Sequence, residues 1–218
     1  MIALTDANRI RRVLCLGAHS DDIEIGCGGT LLKLLHECRQ HGPGVSVRWV
    51  VFSADARRAA EARRSADLFL ADAAAKEVIV HSFRDGFFPF VGAEVKEAFE
   101  AIKTDFVPDL VFTHGRGDLH QDHALLSKLT WNTFRDHLIL EYEIPKYDGD
   151  LGRPNAFVHL DETTCQRKIE HLLGSFESQR GKQWFTAETF WATLRLRGLE
   201  SNAPGKYAEA FGCRKILL

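Results

Sequence analysis

The sequence predicts an α/β fold: a mostly parallel sheet with helices on both faces and a C-terminal extension. Three observations carry that expectation. Apolar runs of strand length alternate with amphipathic stretches of helical period. The helical stretches hold ten or more residues, enough for the crossover that joins parallel strands. The polar residues capable of chemistry gather just after two of the apolar runs. In open sheets of this kind that is the ligand-binding edge.

Taken in order, residues 13–17 form a short apolar strand after Arg11 and Arg12. A polar loop follows, then glycines, then a helix over residues 30–39, where Leu31, Leu32, Leu34, Leu35 and Cys38 share a face. His41-Gly42-Pro43-Gly44 stops it. In the second strand, residues 45–53, Val45, Val47, Trp49 and Val51 alternate with Ser46 and Arg48. Residues 55–75 are alanine-rich and charged, a helix with Arg57, Arg58, Glu61 and Arg64 at helical spacing. A third strand over residues 77–83 ends in the turn Arg84-Asp85-Gly86. Residues 93–104 are helical and stop before Pro108; residues 109–113 form a fourth strand, running into a loop over residues 114–122. Residues 124–137 are helical, 138–144 and 156–160 are strands, 161–176 and 188–199 are helices, and the remainder is tail. The alternation fails after Pro145. One domain over residues 1–218 is therefore expected, with a core of about 1–145 and an appended segment of about 146–218.

Composition narrows the function classes. With 45% hydrophobic residues the 218-residue chain can bury a full core. A net charge of −2 gives no electrostatic footprint for nucleic acid. The five cysteines are scattered, with no CxxC pair, which argues for a reducing compartment and against both a disulfide framework and a cysteine zinc site. No apolar run approaches the length of a membrane span, and the N-terminus carries no apolar leader. A cytoplasmic protein with no membrane partner is expected.

Two stretches carry the chemistry: His19-Ser20-Asp21-Asp22-Ile23-Glu24 and Asp118-Leu119-His120-Gln121-Asp122-His123. Parallel strands bring both to one sheet edge. His19 and Asp22, three apart, together with His123 make a two-histidine, one-carboxylate set for a divalent metal, with a position left for water. Asp21 points elsewhere and is free to take a proton. Asp122, two residues from His120, favours the cationic imidazole, which would serve an oxyanion and a leaving amine. Glu24 either anchors a ligand histidine or caps the helix.

These residues resemble the PIG-L/LmbE family of metal-dependent N-deacetylases. The likeness lies in His19-Ser-Asp21-Asp22-x-Glu24-x-Gly26-Cys-Gly28-Gly29-Thr30 and in Asp118-x-His120-x-Asp122-His123. Pro108 to His114, Tyr142-Glu-Ile-Pro and Tyr207-Ala-Glu-Ala-Phe stand in family-like order. The resemblance implies a Rossmann-like fold, zinc on His19, Asp22 and His123, Asp21 as general base, and His120 with Asp122 at the oxyanion and leaving group. The implied substrate is an N-acetylated amino sugar or its conjugate, and family members often form homo-oligomers. Ser20 stands where the family commonly has proline; serine gives up a fixed φ but removes no ligand.

Plainer readings accompany these. Gly26, Gly28 and Gly29 lack the last glycine of a dinucleotide loop, so they serve to let the backbone pass close to the metal loop. Arg57, Arg58, Glu61 and Arg64 are most simply a solvated helix face, although the family pattern R-x-x-E places Arg58 beside the substrate. Asp85 lies at the same sheet edge and could bind sugar hydroxyls. His114 and Asp118 are either loop-shaping or functional, and Trp184, Phe185, Phe190 and Trp191 belong to the core. Two rival functions use the same residues. One is a non-haem Fe(II) oxygenase with Fe2+ on His19, Asp21 and His123; the other is a sugar or nucleotide-sugar binding module without turnover.

Overall fold

Five strands lie parallel in the order β3-β2-β1-β4-β5: Arg12–His19 (β1), Ser46–Ser53 (β2), Ala75–Val80 (β3), Leu110–His114 (β4) and Leu138–Tyr142 (β5). The structure is a computed structural model that describes residues 10–42 and 44–217. Readings made of the first nine residues and of Pro43 lie outside them. Chain order runs outward from β1 to β3, then returns to β4 on the other side of β1. The crevice at the carboxyl ends of β1 and β4 is therefore the switch point, where such sheets bind ligands.

Alternation along β1 builds two cores. Val13 and Cys15 face a layer made by Asp22–His41 (α1), Ala56–Phe69 (α2), Glu162–Ser175 (α5) and Ala187–Glu200 (α6). Leu14, Leu16 and Ala18 face Gly92–Asp105 (α3) and Gln121–Thr133 (α4). With both faces covered, β1 is apolar from Val13 to Ala18 rather than alternating with polar residues. Phe185 and Phe190 are buried in the first core, and Trp184 and Trp191 pack on its edge.

The boundaries differ from the sequence expectation in three informative places. Helix α1 starts at Asp22, eight residues before Thr30, so the glycines lie inside a helix. Their work is to admit neighbours, not to let the backbone approach the metal loop. A Cβ on Gly26 would sit 2.2 Å from Tyr142 Cδ2, one on Gly28 2.5 Å from Phe69 Cε1, and one on Gly29 2.6 Å from Leu160 Cδ1. Helix α2 ends at Phe69 rather than Ala75, because Ala75 already pairs with Ser46 in the sheet. The alanine run could continue a helix, but strand pairing overrides that propensity.

The third difference is the supposed tail. Tyr207–Cys213 (β7) is a strand lying antiparallel between β5 and Ala156–Leu160 (β6), which completes a seven-stranded sheet. Its Glu209 is buried, accepting from Gly29 N at 2.8 Å, Thr30 N at 2.6 Å and Lys168 Nζ at 2.6 Å. Lys168 Nζ also donates to Ile25 O, at 2.7 Å. A buried ion pair thus enters the ladder of α1 at its glycine turn and ties α5 and β7 to it.

Gly26→Ala should destabilise the protein by about 1–3 kcal/mol, the usual cost of overpacking a close contact. Gly174→Ala, on α5 with open space where its Cβ would stand, should be neutral or stabilising by up to about 1 kcal/mol. Urea unfolding of the two variants measures the difference; equal midpoints would remove the close-approach explanation.

Candidate active site

His19 ends β1, Asp21 and Asp22 begin α1, His114 ends β4, and His120 to His123 turn into α4. The switch point brings these distant segments together. His19 Nδ1 lies 3.1 Å from His123 Nε2 and 3.4 Å from Asp22 Oδ2, and His123 Nε2 lies 3.5 Å from the same oxygen. Donors around a tetrahedral zinc, each about 2.0–2.1 Å from it, stand about 3.3–3.4 Å apart. The triangle fits a small divalent cation.

The far nitrogen of His123 is hydrogen-bonded to a carboxylate, and that of His19 has one close by. His123 Nδ1 is 2.9 Å from Asp118 Oδ2, and His19 Nε2 is 3.0 Å from Asp85 Oδ1. Carboxylates placed this way fix the tautomer and orientation of metal-binding imidazoles. Three other donor groupings share these residues: His19 with His120 and His123, Asp22 with His114 and His123, and His19 with Asp85 and Asp122. They are less apt. His114 Nε2 accepts from Ala18 N at 3.0 Å, so its lone pair is engaged. His120 Nδ1 accepts from Asp122 N at 3.3 Å. Asp122 receives Gly86 N at 2.6 Å on one oxygen and Phe88 N at 3.1 Å on the other.

The Asp122 carboxylate therefore does not bond the His120 ring, which the spacing leads one to expect; only its backbone N–H does. That carboxylate holds the turn after β3 and lies 3.4 Å from His19 Nε2. Nor is the His120 cation favoured. Burial, reinforced by the charges of His123 and His19, holds the imidazole below its ordinary pKa. Because Nδ1 accepts, the ring proton sits on Nε2.

The carboxylates divide by environment. Burial raises Asp22, but the charges of His123, His114 and His19 outweigh it and hold the carboxyl well below its usual range. Burial also raises Asp21 and there prevails over the opposing charge of Arg58. Arg58 Nη2 donates to Asp21 Oδ1 at 2.8 Å, while Asp21 Oδ2 is buried with no hydrogen-bond partner. The charged cluster on α2 is thus divided: Arg57 and Arg64 are exposed, as a solvated face requires, whereas Arg58 and Glu61 turn inward. Glu61 is buried and accepts from Ser178 N at 3.0 Å and from its hydroxyl at 2.5 Å. Asp85 is held down at about 2, chiefly by the His19 imidazole beside it. Glu24 faces Ser65 on α2 rather than a ligand histidine, and burial pushes its carboxyl well up.

His114, Asp118 and Lys146 complete the surroundings. His114 stacks on His123 with ring centroids 3.9 Å apart. For Asp118, burial is outweighed by the hydrogen bond and charge of His123, with help from His114 and Lys146, which leaves its carboxyl at about 2. Lys146 Nζ stands 3.1 Å from Asp118. Sequence reading gave Lys146 no role, although it directly follows the stretch Tyr142-Glu143-Ile144-Pro145. A cavity of about 260 Å³ opens beside Asp118 and Lys146, lined also by Arg116 and Arg153.

Comparison with known proteins places this geometry. Residues 14–134, which contain every residue from His19 to His123, match the family model PIG-L, described as GlcNAc-PI de-N-acetylase. No curated protein sequence matches the chain. Among solved structures, the conserved protein TT1542 from Thermus thermophilus is 20% identical, with a TM-score of 0.74 over 94% of this chain and 95% of that one. The N,N'-diacetylchitobiose deacetylase from Pyrococcus horikoshii is 20% identical, with a TM-score of 0.65 over 94% and 84%. A 4-carboxy-2-hydroxymuconate hydratase from Pseudomonas putida is 15% identical, with a TM-score of 0.66 over 96% and 98%. At such identities these likenesses establish the shared fold, and a fold can host several chemistries. The family match rests on the sequence itself and covers more than half of it: the chain belongs to the PIG-L, GlcNAc-PI de-N-acetylase family.

Proposed function

We propose that the chain is a zinc-dependent hydrolase removing the N-acetyl group from an amino sugar or amino-sugar conjugate. The observation that carries this is the His19–Asp22–His123 triangle, with the unpaired Asp21 Oδ2 buried beside it. His19, Asp22 and His123 would hold the cation. When bound, zinc polarises an acyl carbonyl and lowers the pKa of water. Asp21 Oδ2 takes the proton of the attacking water. His120 offers its Nε2–H to the oxyanion as a neutral donor. The proton held on Asp21 then passes to the departing nitrogen, leaving a free amine and acetate. Asp85 has a side chain 61% exposed and serves a sugar hydroxyl as well as His19.

The family's description and the deacetylase neighbour support this reading. The rival iron oxygenase would require Asp21 as a ligand, yet Asp21 is bonded to Arg58 and Asp22 faces the histidines. Among the described residues no helix is long and apolar enough to cross a membrane. Because the cysteines are scattered with no CxxC pair, we place the protein in the cytoplasm, acting on a small N-acetylated sugar.

Incubated anaerobically with N-acetylated sugars, the protein should release amine and acetate in equal amounts, lose that activity to a chelator and regain it with zinc. Asp21→Asn should lower kcat by about 10²–10⁴-fold while keeping its metal; full turnover by that variant would remove the base assignment. Separately, Asp118→Asn should weaken zinc binding by about 10–100-fold through the loosened His123 ring. Equilibrium dialysis reads this directly, and unchanged affinity would show that Asp118 does not orient the ligand.

A further inference from the structure

We propose that Arg58 is a positioning residue for Asp21, aiming one carboxylate oxygen at the reaction by holding the other. The inference rests on the reading of Asp21 as general base. Asp21 occupies the N-cap position of α1 but makes no side-chain cap bond. An aspartate there normally folds back onto the amides of the first turn. Here the side chain turns to α2 instead, and Arg58 Nη2 binds Oδ1 at 2.8 Å.

The contact engages a single oxygen. Guanidinium and carboxylate usually meet through two parallel hydrogen bonds, which would occupy both oxygens. In this site Arg58 Nε is buried without a partner, and so is Asp21 Oδ2. One oxygen is clamped and the other is left open. Among the described residues no other side chain bonds that carboxylate, so its orientation depends on Arg58.

Arg58 is itself held. Asp55 caps α2 by accepting from Arg58 N at 2.8 Å. Glu61, one turn further along, binds the Ser178 amide at 3.0 Å and so pins α2 to the segment after α5. The R-x-x-E spacing thus divides its work: glutamate fixes the helix, and arginine reaches the base. The Arg58 side chain is only 17% exposed, which leaves little of it for a sugar.

The test is a double-mutant cycle of Arg58→Met and Asp21→Asn on the zinc-loaded full chain, with Arg58→Lys as a folded control and N-acetylglucosamine as the probe. A positioning role lowers kcat of Arg58→Met by about 10–100-fold with KM within about twofold, because only transition-state geometry is lost. Arg58→Lys, which restores a cation, recovers part of that loss. On the Asp21→Asn background the Arg58→Met change costs less than about twofold, since there is no base left to position. A rise in KM with kcat preserved, or losses that multiply, would overturn the proposal and return Arg58 to sugar binding. Urea midpoints of the wild type, the two single variants and the double variant give a readout without turnover. Arg58→Met must shift the midpoint more when Asp21 is present than on the Asp21→Asn background. Should the wild type release no amine from the probe, the deacetylase reading loses its support, and additive urea midpoints would independently overturn the Arg58–Asp21 contact.

Discussion

One carboxylate oxygen, Asp22 Oδ2, closes the site. It accepts from His19 N at 2.6 Å and stands within 3.3–3.5 Å of a ring nitrogen on each of His19, His114 and His123. Burying three imidazoles together removes hydration from all of them, which is tolerable only if their polar atoms find partners. A carboxylate at the first position of a helix supplies such a partner and is itself favoured by the amide dipoles there. The strand end that carries His19 and the helix start that carries Asp22 are separated by only two residues, so their relation is nearly rigid. What must be assembled is the approach of β4 and α4.

That approach is governed by where α1 lies. Its glycines admit Tyr142, Phe69 and Leu160, one neighbour each from β5, α2 and β6. Tyr142 then reaches past the helix to donate to Leu16 O at 2.6 Å. The ring beside it, His114, is 4.8 Å away between centroids. A side chain on Gly26 would push against Tyr142, and the displacement would reach the strand that carries His114. Small residues in α1 are therefore part of the site's geometry although none touches it.

The sequence made the parallel strands and the metal-type residues legible, because both depend on local pattern: apolar runs, and histidine and aspartate at fixed spacing after them. It was less informative wherever one element answers to another. The start of α1 was hidden because glycine reads as loop, while its value here is the absence of a Cβ against Tyr142. Strand β7 was hidden because Glu209 interrupts its apolar pattern, and only Lys168 and the α1 amides explain a buried glutamate. The pairing of Asp122 with His120 looked natural at a separation of two, but helix geometry sends the carboxylate to the Gly86 and Phe88 amides instead. Arg58 belonged to a charged run whose partners lie on other elements, so its bond to Asp21 had no local signature.

The C-terminal strands show how distant sequence enters the chemistry. Glu209 and Lys168 bring opposite charges into the interior, where a lone member would be costly and the pair is sustained by added hydrogen bonds. Those bonds come from Gly29 N and Thr30 N, and one goes to Ile25 O, all on α1. The pair therefore grips the same helix turn whose glycines meet Tyr142 and Phe69. Apolar packing alone would allow that turn to slide along its neighbours, because dispersion and burial have no direction. Hydrogen bonds from a buried carboxylate do have direction, and they fix the helix along its axis. Since Asp21 and Asp22 begin that helix, the register imposed by Glu209 is also the register in which the carboxylates meet His19 and His123.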